Sequence, residues 1–494
     1  MSTTAGSAPS RASAPAGAVN PWLVLVIACM AQFMVVLDAS VVNIALPSVQ
    51  RGLHFSAANL QWVVNGYTLI FGGFLLLGGR AADLIGRKRL FVAGVTLFTL
   101  ASLLNGVAQS SGVLIAGRAL QGLGGALVSP AALSIVTTTF DGERRTKALG
   151  VWSAIAASGA AVGLLVGGVL TDIASWRWVF FVNIPVGIIT VMLAVRFVAE
   201  SRVDIKHRSY DLAGAAAVTS GLVILVYAIV KAQAWGWGSA RTLGLGAVAV
   251  ALLVAFVAIE QRSQAPLMRL AIFRIRALAV ADSVLLLVAS GMFGMFFFAS
   301  LYVQEILGYS PLRAGLAFLP VTAGIMIGAG LAQQLIRRLG VRYVSMGGIS
   351  LAVIGMLILT QLPVHGSYVG DLLVGLLPMS IGMGLTFVPI TLMGTSGVTG
   401  EDAGLASGLF NTAQQVGGSL GLAILSTLAA SQTTRALHGT SVAAAKVSGY
   451  HVAFLGAAIM LAIGVVLLGV ALRRSHMREV EAAIASGAAV PVAA

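Results

Sequence analysis

Long apolar stretches separated by short polar punctuation recur from residue 21 to residue 472. At about 20 apolar residues per bilayer crossing, the pattern predicts fourteen helices. They cover 21–46, 59–79, 89–109, 112–135, 147–171, 178–199, 211–231, 241–260, 276–300, 312–336, 341–362, 368–393, 403–430 and 449–472. Helices are required because hydrocarbon offers no partner for a free backbone N–H or C=O. The expected fold class is an all-α polytopic membrane protein, with loops too short to hold a sizeable soluble domain.

Composition agrees: 58% of the 494 residues are hydrophobic and 9% are charged, too little charge to cover a soluble surface. A net charge of +14 invites a nucleic-acid partner, but the distribution argues against one. With both termini in the cytoplasm, 22 Lys and Arg fall in cytoplasmic segments and 7 outside, and Arg118 is left within a span. That asymmetry fixes the orientation in a membrane, so the macroscopic partner is the lipid bilayer; the expected location is a bacterial inner (plasma) membrane. The single Cys29 can form neither an internal disulfide nor a thiolate metal cluster. Residues 1–20, rich in Ala, Ser and Pro, read as a disordered tail. The first apolar run is full-length, so it is expected to stay as a span rather than be cleaved. Residues 475–494 read as a second loose tail. There is no Walker-type loop, HExxH or GxSxG motif. Neither ATP-driven pumping nor enzymatic chemistry is expected, and no cofactor.

Internal symmetry is faint. The segment GRAADLIGRKR at 79–89 has an echo in RRLGVR at 337–342, where Gly340 matches Gly86 but Arg337 stands in place of Asp83. If the second half begins at the ninth span, 21–199 and 276–474 are two six-helix bundles, and 200–275 is a two-helix insertion with basic flanking loops. Pro130, Pro320, Pro378 and Pro389 mark expected kinks.

Ionisable groups inside a membrane are costly and point to function. Asp38 in LDASVVNIALP, Arg118 in GRALQGLGGA and Asp282 in AVADSVLLL are the three candidates for proton coupling or substrate recognition. Arg118, always charged, either holds Asp38 ionised or bonds helix carbonyls; the plainer alternative is a packing anchor. Asp38 alternatively is a hydrogen-bonded structural acid. Asp282 alternatively is a solvated partner of Arg274 or Arg276. The segment between the second and third spans holds Gly79, Asp83, Gly86, Arg87, Lys88 and Arg89, more chemistry than a connector needs. Glu401 and Asp402, at the head of the thirteenth span, would suit a helix N-terminus and offer partners for that basic cluster. Together these residues read as a conformational latch. Gly159, Gly163, Gly167 and Gly168 share a face of the fifth span. They allow either generic close helix packing or a seam between the bundles.

These motifs together resemble the major facilitator superfamily, and within it the fourteen-helix drug:proton antiporter branch. GRAADLIGRKR resembles the superfamily's signature between helices two and three. LDASVVNIALP, the string from Leu114 to Ala126, SWRWVFFVNIPVG, YVQEILGYSPLRAGLAFLP and GLASGLFNTAQQVGGSLG resemble the branch, over roughly Trp22 to Arg474. The resemblance implies that Asp83 interacts with the head of a helix in the other bundle, near Ala403, favouring an outward-open state. It also implies that Arg118 serves proton coupling and that Asp38 serves coupling or cation recognition. One position departs: Leu164 stands where the fifth-helix antiporter motif usually has Pro.

The expected function is a proton-coupled antiporter that exports amphipathic or cationic drugs by alternating access as a monomer, conferring multidrug or antibiotic resistance. The alternatives are a dedicated exporter of one metabolite, such as an antibiotic made by the host, and a non-transporting membrane sensor.

Overall fold

The computed structural model describes residues 20–201, 211–263, 266–395 and 403–472. Every regular element among them is helical. The long helices are α1 Pro21–Leu53, α2 Trp62–Ile85, α3 Arg87–Gly106, α4 Ser111–Thr139, α5 Gly142–Ile173, α6 Asn183–Phe197, α7 Leu212–Trp235, α8 Ala240–Arg262, α9 Arg276–Leu301, α10 Leu319–Leu339, α11 Val341–Leu359, α12 Leu373–Thr395, α13 Ala403–Ala436 and α14 Val442–Ala471. Short helices at Trp178–Phe181 and Pro311–Ala317 lead into α6 and α10, and π-helical turns at Tyr302–Ile306 and Tyr368–Leu372 end α9 and begin α12.

Local sequence sets several starts. Asn20 caps α1, whose first residue is Pro21; Ser110 caps α4 and Asp211 caps α7, each side chain accepting a backbone N–H three residues on. The first helix runs past Pro47 to Leu53, beyond the expected end at 46. One missing N–H bond does not stop it, because Val49 and Leu53 are buried beyond the proline, and His54 closes the helix in left-handed geometry at φ 53°.

Twelve described helical segments are long and apolar enough to cross a membrane. The other two long helices, α5 and α13, both line the boundary between the halves. There small and polar residues meet other helices rather than lipid.

The two halves repeat one packing scheme. In the first, α5 packs on α1, and α4 packs on both α2 and α3; in the second, α13 packs on α9, and α12 packs on both α10 and α11. The repeat extends to the backbone: Gly86 (φ 118°, ψ 134°) and Gly340 (φ 80°, ψ 160°) form the same turn, each donating its N–H to a carbonyl four residues back. An L residue is strained there, so glycine is the fit at both.

The inserted hairpin stands to one side. Its first helix, α7, lies against α2 and α13 through Leu69, Leu222, Val226, Val230 and Ala423. Its second, α8, packs on α7 and turns Leu243, Val250 and Val254 outward, as a lipid-facing helix does. At the end of the molecule away from the chain termini, the halves are tied together. Ser300 Oγ donates to the Asn43 carbonyl at 2.8 Å and Gln304 Nε2 to that of Ile44 at 2.9 Å. Ser310 Oγ also donates to Asp172 at 3.0 Å. Along the middle, α2 meets α13, with Thr68 and Ser419 in a buried hydroxyl pair.

Candidate functional site

The most polar point of the interior lies in the first half. Asp38 is 0% exposed and Arg118 1%. Arg118 Nη1 donates to Asp38 Oδ2 at 2.5 Å and to Gln121 Oε1 at 2.8 Å, and Arg118 Nε donates to the Val63 carbonyl at 2.9 Å. Both roles read for Arg118, partner of Asp38 and donor to a helix carbonyl, are therefore filled at once. Asp38 Oδ1 accepts from Gln121 Nε2 at 2.7 Å and Asn183 Nδ2 at 2.9 Å. Ser102 Oγ closes the network, accepting from Asn183 at 3.0 Å and donating to the Phe180 carbonyl at 2.9 Å. Asn105 Nδ2 adds a bond to Gln121 Oε1 at 2.7 Å. The Tyr67 ring lies 4.4 Å from the guanidinium carbon, a cation–π contact. Five helices, α1, α2, α3, α4 and α6, thus converge on one ion pair.

Such a pair is costly to bury and costlier to break, because removing one partner strands the other charge. It suits a switch whose ionic and neutral forms demand different surroundings. Gln121 follows Arg118 by one helical turn, a spacing that puts both on one face; Ser102 and Asn105 have the same spacing on α3. Asn183 lies in the string SWRWVFFVNIPVG and carries no charge to mark it out. That lone amide in an apolar run was the available signal.

Asp282 stands apart. It lies on α9, 7% exposed, and neither carboxylate oxygen has a hydrogen-bond partner. The solvated ion-pair alternative fails: Arg276 is exposed and its Nε donates to the Ala471 carbonyl at 3.0 Å. Asp38 and Arg118 therefore come together, and Asp282 does not join them.

The segment 79–89 forms the end of α2, the Gly86 turn and the start of α3. The Asp83 side chain, Glu401 and Asp402 lie outside the described residues. The described acid at this turn is Glu200, beyond the end of α6, which sequence reasoning overlooked. Its carboxylate accepts the backbone N–H groups of Lys88 at 3.2 Å and Arg89 at 3.3 Å, and pairs with Arg89 Nε at 3.6 Å. The Arg87 N–H donates to the Ser201 carbonyl at 2.9 Å, and Lys88 Nζ to that of Val195 at 2.9 Å. A carboxylate on the free amides of a helix N-terminus is favourable, and here it joins α3 to α6. Gly79 faces Pro130 at ordinary contact distance, 3.7 Å.

The glycine face of α5 divides. Gly159 approaches Phe33 and Val36, Gly163 approaches Leu37 and Ser40, and Gly167 approaches Val41, all on α1 of the same half. The seam reading holds only for Gly168, which meets Pro311 and Leu312 of the second half. Beside it, the Leu164 carbonyl lies against Gly315. The spacing of glycines shows that a close approach occurs, but not which helix approaches.

Among the described residues, no group of three or more His, Cys, Asp and Glu side chains could hold a metal ion.

Comparison with known proteins agrees with this architecture. The model of the Major Facilitator Superfamily matches residues 28–422. The chain is 42% identical to the puromycin resistance protein pur8 of Streptomyces alboniger, over 90% of this chain and 89% of that one. It is 40% identical to the cephamycin export protein CmcT of Amycolatopsis lactamdurans, over 89% and 90%. Among solved structures, a bacterial homolog of the human lysosomal transporter Spinster, inward-facing and unoccupied, superimposes with TM-score 0.64 over 93% of this chain and 98% of that one, at 15% identity, a likeness of fold alone. The two-half helical architecture, the family match and the extended similarity lead to one conclusion: the chain belongs to the major facilitator superfamily and is a membrane transporter, not an enzyme.

Proposed function

We propose that this protein is a proton-driven exporter of small amphipathic, often cationic, organic compounds. It works as a monomer with fourteen spans in a bacterial plasma membrane, both termini cytoplasmic. The observation that carries the reading is the buried Asp38–Arg118 pair with its Gln121 and Asn183 donors. A membrane-embedded acid held by a permanent cation is a group whose protonation releases its partner, and that release can drive a conformational change. With this orientation, the contacts of Ser300, Gln304 and Ser310 seal the outer side, and cargo is loaded from the cytoplasm. A proton taken up by Asp38 from outside accompanies cargo release. The names of the relatives, a puromycin resistance protein and a cephamycin export protein, support organic antibiotics as cargo.

The test is efflux from a pump-deficient host, with and without an uncoupler, and uptake into inverted vesicles under an imposed pH gradient. Uncoupler-sensitive efflux that Asp38→Asn abolishes is expected. Efflux by Asp38→Asn with wild-type coupling would remove that residue from the mechanism. A second reading, a dedicated exporter of a single metabolite, draws on the same relatives, each named for one antibiotic. A compound panel in which only one chemical scaffold is exported would favour it.

A further inference from the structure

The two buried membrane aspartates are in opposite states. Asp38 is saturated: Arg118, Gln121 and Asn183 supply three donors to its two oxygens. Asp282 is also buried, at 7% exposed, yet neither of its oxygens has a hydrogen-bond partner. Its surroundings are apolar. Leu278, one turn earlier, clusters with Ile272, Ala406 and Leu409, and the adjacent Ala281 faces Gly394 near Phe410.

No described charge compensates it. On its own helix Arg276 turns to the Ala471 carbonyl, and Arg274, in the preceding turn, is exposed. The described part of α12 contains no charged residue, and that of α13 only Arg435 in its last turn. In α14 the charge is Lys446, bound to Glu305 at 2.8 Å, and His451 bonds the Leu362 carbonyl. On α1 the charges are Asp38, already paired, and Arg51 at the far end. A charged carboxylate enclosed without a compensating protein partner is strongly disfavoured, so this site calls for a small cation, and a proton fits an enclosure whose described residues offer no other ligands.

The acids also differ in depth. Asp282 lies about two turns into α9 from the end that carries the chain termini, and Asp38 about five turns into α1 from that same end. We infer that Asp282 is a second proton-loading station, in the other half of the molecule and nearer the terminal end, carrying its proton in the conformation in which Arg118 holds Asp38. This deepens the proton-coupled reading and rests on it: Asp282 carries a second proton inward, released to the cytoplasm after Asp38 has given up its own and paired with Arg118.

The experiment is infrared difference spectroscopy of the full chain in lipid nanodiscs during a pH titration, reading the carbonyl stretch of protonated carboxylic acids. Asp282→Asn is expected to remove one such band that Asp38→Asn leaves in place; Asp282→Glu is expected to keep a band at a shifted frequency and serves if the Asn variant does not fold. An unchanged set of bands in Asp282→Asn, or no band change in Asp282→Glu, overturns the inference. Proton counting in proteoliposomes, with ethidium as cargo, separates the two claims. A wild-type protein that moves ethidium without protons sinks the proton-coupled reading. A coupled wild type whose proton-to-ethidium ratio is unchanged by Asp282→Asn sinks this inference alone; a ratio lower by one supports it.

Discussion

Gly86 lies directly against the carboxylate of Glu200: a Cβ built on Gly86 would fall 2.5 Å from Oε1, on a backbone with φ 118°. The conformation strains any L side chain, and a Cβ would push the Glu200 carboxylate off the amides it accepts from. Gly86→Val is expected to abolish most efflux while leaving the amount of protein in the membrane near wild type, as judged by quantitative blotting of membrane fractions. Gly79→Ala is the control. Its nearest neighbour, Pro130, is at 3.7 Å, so transport should be retained. Equal activity of both variants would reduce the turn to a plain connector.

Glu200 caps α3 from another helix. Glu200→Ala removes the acceptor of two backbone N–H groups and should cost about 1 kcal/mol, the scale of a lost N-cap. Arg89 is 72% exposed in its pairing with Glu200, so little of that loss should come from the ion pair itself. The thermal midpoint of the purified protein should therefore fall by a similar amount at low and high salt. A loss that vanishes in high salt would assign the effect to the ion pair instead.

Asp38 and Arg118 should behave as one unit. Asp38→Asn or Arg118→Gln strands a buried partner, and each should destabilise by roughly 3–5 kcal/mol. The double variant leaves no orphan charge, so its loss should be clearly smaller than the sum of the two. Unfolding midpoints of all four proteins close the cycle. Strict additivity would show that the pair is not coupled in the folded protein. Efflux should be lost in every variant, because restored stability does not restore a proton-sensitive charge.

Gly168 and Gly159 separate the two kinds of contact on α5. A Cβ at Gly168 would lie 2.8 Å from the Pro311 carbonyl across the halves, whereas at Gly159 it would lie 3.3 Å from Val36 within one half. Gly168→Leu should wedge the halves apart at the end where Ser300 and Gln304 tie them. In a Cys29→Ser background, a cysteine at position 43, whose carbonyl accepts from Ser300 of the other half, should then react faster with an impermeant maleimide added from outside. Gly159→Ala should leave that rate unchanged. The same rate in both variants would mean that Gly168 does not report on closure.

Much of the fold was legible in the chain, because a membrane span is announced by local composition. Apolar length, the Ser and Asn caps and the basic punctuation need no knowledge of tertiary contacts. The first span overran its expected end at Pro47 because burial of Val49 and Leu53 outweighs one lost backbone bond. The turn glycines Gly86 and Gly340 were readable too, since their role is a local backbone conformation.

Partnership was not legible. Asp38 and Arg118 stood out singly, as charges in hydrocarbon must, but only the convergence of five helices shows that Asn183, Ser102 and Asn105 complete their network. The glycines of α5 announced a close approach without saying that three of them face α1 and one faces the other half. Glu200 looked like an ordinary loop acid until the fold laid it on the amides of α3. Asp282, an acid in an apolar span with Arg274 and Arg276 close by in sequence, read as a solvated pair as readily as a buried site, and the packing left its oxygens without a hydrogen-bond partner. By itself the sequence determined where the chain enters the membrane and which of its groups cannot rest there uncompensated, because transfer into hydrocarbon depends on each residue's own chemistry. Which of those groups are compensated, and by whom, was decided only by tertiary structure, because a hydrogen bond or an ion pair requires a second group within about 3 Å that a distant stretch of chain must supply.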